Sequence, residues 1–280
     1  MIDILLSTYN GEQFLSEQIE SIIHQSFTDW KLIIRDDGSS DSTNAIIDSY
    51  CAVYPQKVIK INGPSSNIGV ILSFELLLKQ SKSDYTMFCD QDDVWLLNKI
   101  EESMLAISAL EKKNTRATPL LIHTDLEVVS TTLKTLYPSL FDCANIHTEL
   151  LDSNPYYLGI CNSITGCTIL INKAARLCSL PFPKNIIMHD AWLGVSVLLN
   201  KGIIKAIPKS LIKYRQHNQN TIGVTAYQPI RNKGLKAISG FFKTNRKIFY
   251  HHYPFLYKSI FHYCYHRTIY FIKLHLKRKK

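Results

Sequence analysis

The chain has 280 residues, 46% of them hydrophobic and 20% charged, enough apolar content for a sizeable core and too much for wholesale disorder. Its net charge of +9 and pI near 9.1 leave three partners open: nucleic acid, an anionic membrane surface or phosphorylated small molecules. Seven cysteines, odd in number and without CxxC spacing, read as scattered cytosolic thiols rather than a disulfide framework or a zinc site.

In chain order, Ile2 to Leu6 reads as a buried strand running into a turn at Asn10-Gly11. The start lacks a basic n-region, so a secretory leader is not expected, and no apolar run reaches spanning length. Leu15, Ile19, Ile22 and Ile23 share one helical face. Leu32-Ile33-Ile34 is a second strand, cut off by the turn-forming stretch Asp36 to Asp41. Ala45, Ile46 and Tyr50 predict a helix, Val58 to Ile61 a strand, and Ile71 to Leu78 a helix. Tyr85 to Cys89 is a strand that ends in Asp90-Gln91-Asp92-Asp93. Leu120 to Asp125, Ile164 to Ile171, Ile203 to Ile207 and Leu211 to Tyr214 predict further strands, and Asp190 to Leu199 a helix. Beyond residue 230 come two helical stripes: Leu235, Ile238, Phe242 and Phe249, then Leu256, Ile260, Cys264, Phe271 and Leu274 after Pro254.

Alternation of strands and helices predicts an α/β protein with a mostly parallel central sheet, whose ligands sit beyond the carboxyl ends of the strands. Three polar loops leave strands at that edge: Ser7 to Glu12, Asp36 to Asp41 and Asp90 to Asp93. Clustered carboxylates repel one another, and a hard divalent cation such as Mn2+ or Mg2+, which also bridges to phosphate, relieves that repulsion. A solvated acidic turn, with Asp93 capping a following helix, is the competing reading of the third loop. In the first two loops the Tyr9 ring can stack on a base and a carboxylate can accept a pyrimidine N–H, whereas a plain Asp-Gly turn is the alternative for Asp36 to Ser39.

Ser7-Thr8-Tyr9-Asn10-Gly11, Asp36-Asp37-Gly38-Ser39-Ser40-Asp41, Asn67-Ile68-Gly69 and Asp90-Gln91-Asp92-Asp93-Val94-Trp95 together resemble the family 2 glycosyltransferases of GT-A fold, over roughly residues 2 to 222. The Asp-Gln-Asp-Asp-Val-Trp form, His189-Asp190 and Tyr214-Arg215-Gln216-His217 resemble the bacterial rhamnosyltransferase-like subgroup. The resemblance implies that Ser7, Thr8, Tyr9 and Asp36 surround the nucleotide, with Glu12 and Asn67 nearby. It puts Asp90 at the ribose, Asp92 and His217 at a metal, and Gly166, next to Cys167, beneath the donor sugar. Asp190 would be the base that deprotonates the acceptor, with His189 standing where many relatives carry Glu. It further implies inverting transfer from a dTDP- or UDP-sugar to a lipid-linked oligosaccharide, in bacterial O-antigen or capsule assembly at the inner face of the plasma membrane.

The expected organisation is a catalytic domain over 1–225, divided into nucleotide-binding (1–105) and acceptor-binding (106–225) parts, and a basic, aromatic extension over 226–280. That extension is suited to an anionic membrane surface, and packing back on the domain is its alternative. Processive synthases carry Gln-x-x-Arg-Trp, which this chain lacks, and no GxGxxG follows the first strand as a nicotinamide enzyme requires. Nucleic-acid binding would leave the three acidic loops unexplained, since carboxylates repel a phosphate backbone; a catalytically inactive GT-A scaffold is the remaining alternative.

Overall fold

The computed structural model describes residues 1–64, 66–152, 154–217 and 255–277. The strands, in chain order, are β1 (Ile2–Thr8), β2 (Trp30–Asp36), β3 (Val58–Lys60), β4 (Tyr85–Cys89), β5 (Val94–Trp95), β6 (Leu120–Val129), β7 (Thr135–Tyr137), β8 (Leu170–Asn172) and β9 (Ile203–Arg215). The helices are α1 (Leu15–Ile23), α2 (Thr43–Val53), α3 (Val70–Gln80), α4 (Lys99–Glu111), α5 (Leu140–Cys143), α6 (Thr148–Asp152), α7 (Lys173–Ser179), α8 (His189–Leu199) and α9 (Ile260–Lys277).

The strands form one sheet in the order β3-β2-β1-β4-β8-β6-β9-β5, with β7 added to the far end of β6. The β3-β2-β1-β4 half is parallel throughout, as strand–helix alternation demands. β8 runs antiparallel between β4 and β6, while β9 runs parallel to β6, so most strands share one direction. Because β1 is covered on both faces, Ile2, Ile4, Leu5 and Leu6 are all fully buried rather than alternating. One face packs on α1, α2 and α4 through Ile19, Ile22, Ile47 and Ile100. The other packs on α3, α7 and α8 through Phe74, Leu78, Ala175 and Leu193.

Three expectations change. Residues 164–171 do not form one strand: Gly166–Thr168 is a 3-10 turn and only Leu170–Asn172 pairs. The two strands foreseen over 203–214 are one 13-residue strand, bulged against β6 near Pro208, where proline removes a backbone N–H from the ladder. Asp93 does not cap a helix, because β5 follows it directly and α4 begins only at Lys99.

Of the C-terminal stripes, Leu235, Ile238, Phe242 and Phe249 lie outside the described residues. The second is α9, which buries Tyr263, Tyr270 and Leu274, with Ile260 and Cys264 partly covered, whereas Phe271 is exposed.

Candidate active site

The ladders align the three polar loops. Leu6 pairs with Cys89 and Thr8 with Asp36, so β1, β2 and β4 end level with one another and release their loops at the same edge. A cleft of about 300 Å³ opens there. Ser7, Thr8 and Tyr9 line it from β1, Asn67 from the loop before α3, Asp90 and Asp92 from the loop after β4, Gly166 from the 3-10 turn and Asp190 from α8. Asp37, Gly69, Val70, Phe74, Gln91, Thr165, Met188, His189 and Tyr214 complete the wall.

Gln91 locks the first loop to the third. Its Oε1 accepts from Thr8 Oγ1 at 2.6 Å and from the Tyr9 backbone N–H at 2.8 Å, and its Nε2 donates to the Tyr9 carbonyl at 3.2 Å. A Cβ on Gly11 would stand 2.5 Å from that same Oε1, so only glycine leaves room for the lock. The Tyr9 ring stays 48% exposed and is free to receive a planar group.

Asp36 is not among the residues that line the cleft. Its carboxylate accepts from the N–H groups of Gly38 and Ser39, from Ser39 Oγ and from Asn44 Nδ2, all within 3.1 Å, and is spent on shaping the turn. Glu12 does not line it either; it accepts the Ser42 N–H at 2.9 Å and so joins the first two loops. Of the two adjacent aspartates at the end of β2, Asp37 is the one at the cleft wall. Buried, it pairs with Arg35 at 2.6 Å and accepts the N–H groups of Ile68 and Gly69, thereby holding Asn67 in place. Gly69 sits at φ +84°, a conformation that favours glycine.

In the acidic loop Asp90 is half-buried, and burial with the charges of Asp92 and Asp190 pushes its carboxyl up to about 7. Asp93 is fully buried; desolvation and its two acidic neighbours raise it well above the ordinary range. Its Oδ1 accepts the Arg215 N–H at 3.1 Å, and the buried Cys167 thiol adjoins its carboxylate. Arg215 belongs to a segment that carries the resemblance, but the sequence assigned it no role of its own. Its guanidinium bonds the Asp92 carbonyl at 2.8 Å, the Thr131 carbonyl at 2.5 Å and the Glu17 carboxylate, and stacks over Phe14. The cation therefore clamps the acidic loop onto α1 and the end of β6. His217, two residues on, places Nε2 2.7 Å from Asp92 Oδ2. Asp92 and His217 thus meet across 125 residues of sequence.

Opposite, Asp190 is the second residue of α8, inside the helix rather than its N-cap. It accepts the Gly166 N–H at 3.1 Å and the Ala191 N–H at 2.5 Å. Burial raises its carboxyl to about 6, against these hydrogen bonds, which lower it. His189 stacks on Phe74 at 4.1 Å, and burial alone depresses its imidazole to about 3, which keeps it neutral. A Cβ on residue 166 would approach His189 Nε2 to 2.8 Å, so the packing of His189 favours glycine there.

The donor set can be tested against a hard divalent cation. Asp90, Asp93 and Cys167 bring ligand atoms within 4.8 Å of one another, but Asp93 and Cys167 are fully buried, line no part of the cleft, and thiols suit softer metals. Asp90 and Asp92 face the cleft with carboxylate oxygens, the ligand type Mn2+ and Mg2+ prefer. The acidic loop therefore fits such an ion on its cleft side, where positive charge would relieve the repulsion that raises Asp90.

The α/β sheet that gathers these acidic loops at one edge, with a carboxylate facing them from a helix start, has the GT-A fold of the solved structures it superposes on. Residues 3–119 match the Glycosyl transferase family 2 model. Among curated proteins it is similar to the dTDP-rhamnosyl transferase RfbG of Shigella flexneri, 28% identical over 83% of this chain and 78% of that one. A shorter match is the UDP-Glc:alpha-D-GlcNAc-diphosphoundecaprenol beta-1,3-glucosyltransferase WfgD of Escherichia coli, 29% identical over 41% of this chain and 42% of that one. Solved structures share the fold. The Pyrobaculum calidifontis mannosyltransferase PcManGT, in complex with GDP-Man and Mn2+, superposes with TM-score 0.59 at 11% identity, covering 81% of this chain and 59% of that one. S. aureus TarS 1-349 with UDP-GlcNAc gives 0.57 at 16%, covering 88% and 65%. The chain spans less than two thirds of either solved structure.

Proposed function

We propose that this protein is an inverting, metal-dependent glycosyltransferase that moves a sugar from a nucleotide-diphosphate donor, dTDP-rhamnose or a UDP-hexose, to a lipid-linked oligosaccharide in bacterial surface polysaccharide synthesis. The observation that carries the reading is one cleft lined by an exposed aromatic ring, a paired acidic loop and a separate buried carboxylate, each supplied by a different segment. The resemblance to RfbG favours dTDP-rhamnose, and that to WfgD favours a diphospholipid-borne acceptor.

In this reading Tyr9 stacks on the base and Ser7, Thr8 and Asn67 flank the nucleoside, with Asp90 at the ribose. A divalent cation held by Asp92, oriented by His217, would supply charge to stabilise the departing diphosphate. Asp190 is the base. A carboxyl lifted to about 6 is ionised at neutral pH yet more basic than a solvent-exposed aspartate, which suits it to take the acceptor hydroxyl's proton as the glycosidic bond forms. The Gly166 and Ala191 N–H groups fix its orientation. Neutral His189 adds no charge beside it.

The test is thermal stabilisation by dTDP- and UDP-sugars, with and without Mn2+, in the wild type and Asp92→Ala. Stabilisation that requires both the ion and Asp92 is the expected result. Absence of any metal-dependent nucleotide stabilisation in the wild type would sink the proposal.

A further inference from the structure

Charge is divided along this chain in a way its net value conceals. All 23 Asp and Glu residues stand at or before Asp190, whereas 18 of the 32 Lys and Arg residues stand after it. The first 190 residues are therefore net acidic and the remainder carries no carboxylate side chain at all. α9 lies in this acid-free part.

One side of α9 is committed to the protein. Tyr263 packs with Val195, Leu256 and Tyr257, while Tyr270 and Leu274 pack with Leu150 and Tyr157. The opposite side is apolar and uncovered: Phe261 is 82% exposed, Tyr265 61%, Ile272 54% and Leu276 59%. With Thr268 these follow one another at intervals of three or four residues, so they share a single stripe along the helix. Phe271 widens the stripe, exposed His275 stands between Phe271 and Thr268, and exposed Lys258 and Lys273 flank the stripe. Among the described residues no helix is long and apolar enough to cross a membrane.

We infer that this outer face of α9 is a docking surface for an anionic lipid bilayer, with the helix lying in the plane of the interface. Apolar and aromatic side chains on one face with cations at its borders are what a headgroup–acyl boundary accommodates, and the acid-free sequence around the helix removes repulsion from anionic headgroups. A second protein copy is a poorer occupant, because the same positive charge would face itself across a two-fold contact.

The packing beneath α9 gives the docking a consequence. Trp192 and Val195 of α8 lie under it, the Trp192 ring standing 5.4 Å from that of Phe255. α8 also carries Asp190 in its first turn. A bilayer held by α9 therefore sits one helix layer from the candidate base, so docking sets its height above the lipid surface. This second step rests on the transferase reading, in which the acceptor is lipid-linked; the docking itself does not.

The test is flotation of the full chain with phosphatidylcholine vesicles and with vesicles containing about 30% phosphatidylglycerol, for the wild type and the double variant Phe261→Ser/Ile272→Ser. The wild type is expected to float with the anionic vesicles and the variant to bind them at least about tenfold more weakly, with an unchanged melting temperature. Equal binding of both proteins, or no binding by the wild type, would overturn the inference. So would a concentration-dependent dimer that the double variant abolishes, since a second copy would then own the face. Metal-dependent stabilisation by nucleotide sugars, measured on both proteins, separates the two ideas: its absence refutes the transferase reading while leaving vesicle binding to decide docking.

Discussion

Replacing the candidate base by its isostere, Asp190→Asn, should make the protein more stable at neutral pH while removing its activity. Burial holds the Asp190 carboxyl at about 6 against 3.8 for an ordinary aspartate. An acid raised on folding binds more protons in the native than in the unfolded state between those values. Stability therefore falls as pH rises through that window, and the penalty is complete above pH 6. Two units correspond to about 3 kcal/mol. Asparagine removes that penalty but its single acceptor serves only one of the Gly166 and Ala191 N–H groups, which returns about 1–2 kcal/mol. The net expectation is about 1–2 kcal/mol of stabilisation at pH 8, shrinking by about 1 kcal/mol at pH 5. Urea denaturation of both proteins from pH 5 to 8, in chelator so that no cation compensates the acidic loop, measures the difference directly. A stability difference that is constant across this range would show that Asp190 is not desolvated, and the argument for a strengthened base would fall with it.

Two further substitutions test the scaffold of the cleft. Gln91→Ala removes the acceptor shared by Thr8 Oγ1 and the Tyr9 N–H and leaves the buried Thr8 hydroxyl without it; a loss of about 1–3 kcal/mol is expected in chemical denaturation, with weaker nucleotide binding by calorimetry. Gly166→Ala drives a methyl to 2.8 Å from His189 Nε2, on a ring already stacked against Phe74. A cost of about 1–3 kcal/mol is expected in melting curves, with turnover reduced more than nucleotide affinity because the displaced atoms adjoin Asp190. Unchanged turnover in a stable Gly166→Ala protein would detach this glycine from the catalytic geometry.

Local chemistry determined a good deal from sequence alone. The apolar runs of β1, β2 and β4 are continuous because both sheet faces are covered, so the parallel half and its three loops at one edge followed without coordinates. Ser7, Tyr9, Asp90 and Asp92 were accessible to that logic because each stands at or just past a strand end. What only the tertiary structure decided was which donors are already spent. Asp36 and Asp37 are indistinguishable neighbours in sequence, yet hydrogen bonds inside the turn consume the first while Arg35, fixed on β2, brings the second to the cleft wall. Arg215 reads as an ordinary cation at a strand end until β9 carries it against Glu17, Asp92 and Thr131, partners between 84 and 198 residues away. Residue type and spacing govern what a segment forms and what it could bind; only folding, by pairing distant polar groups and burying others, determines which of those groups remain free to act.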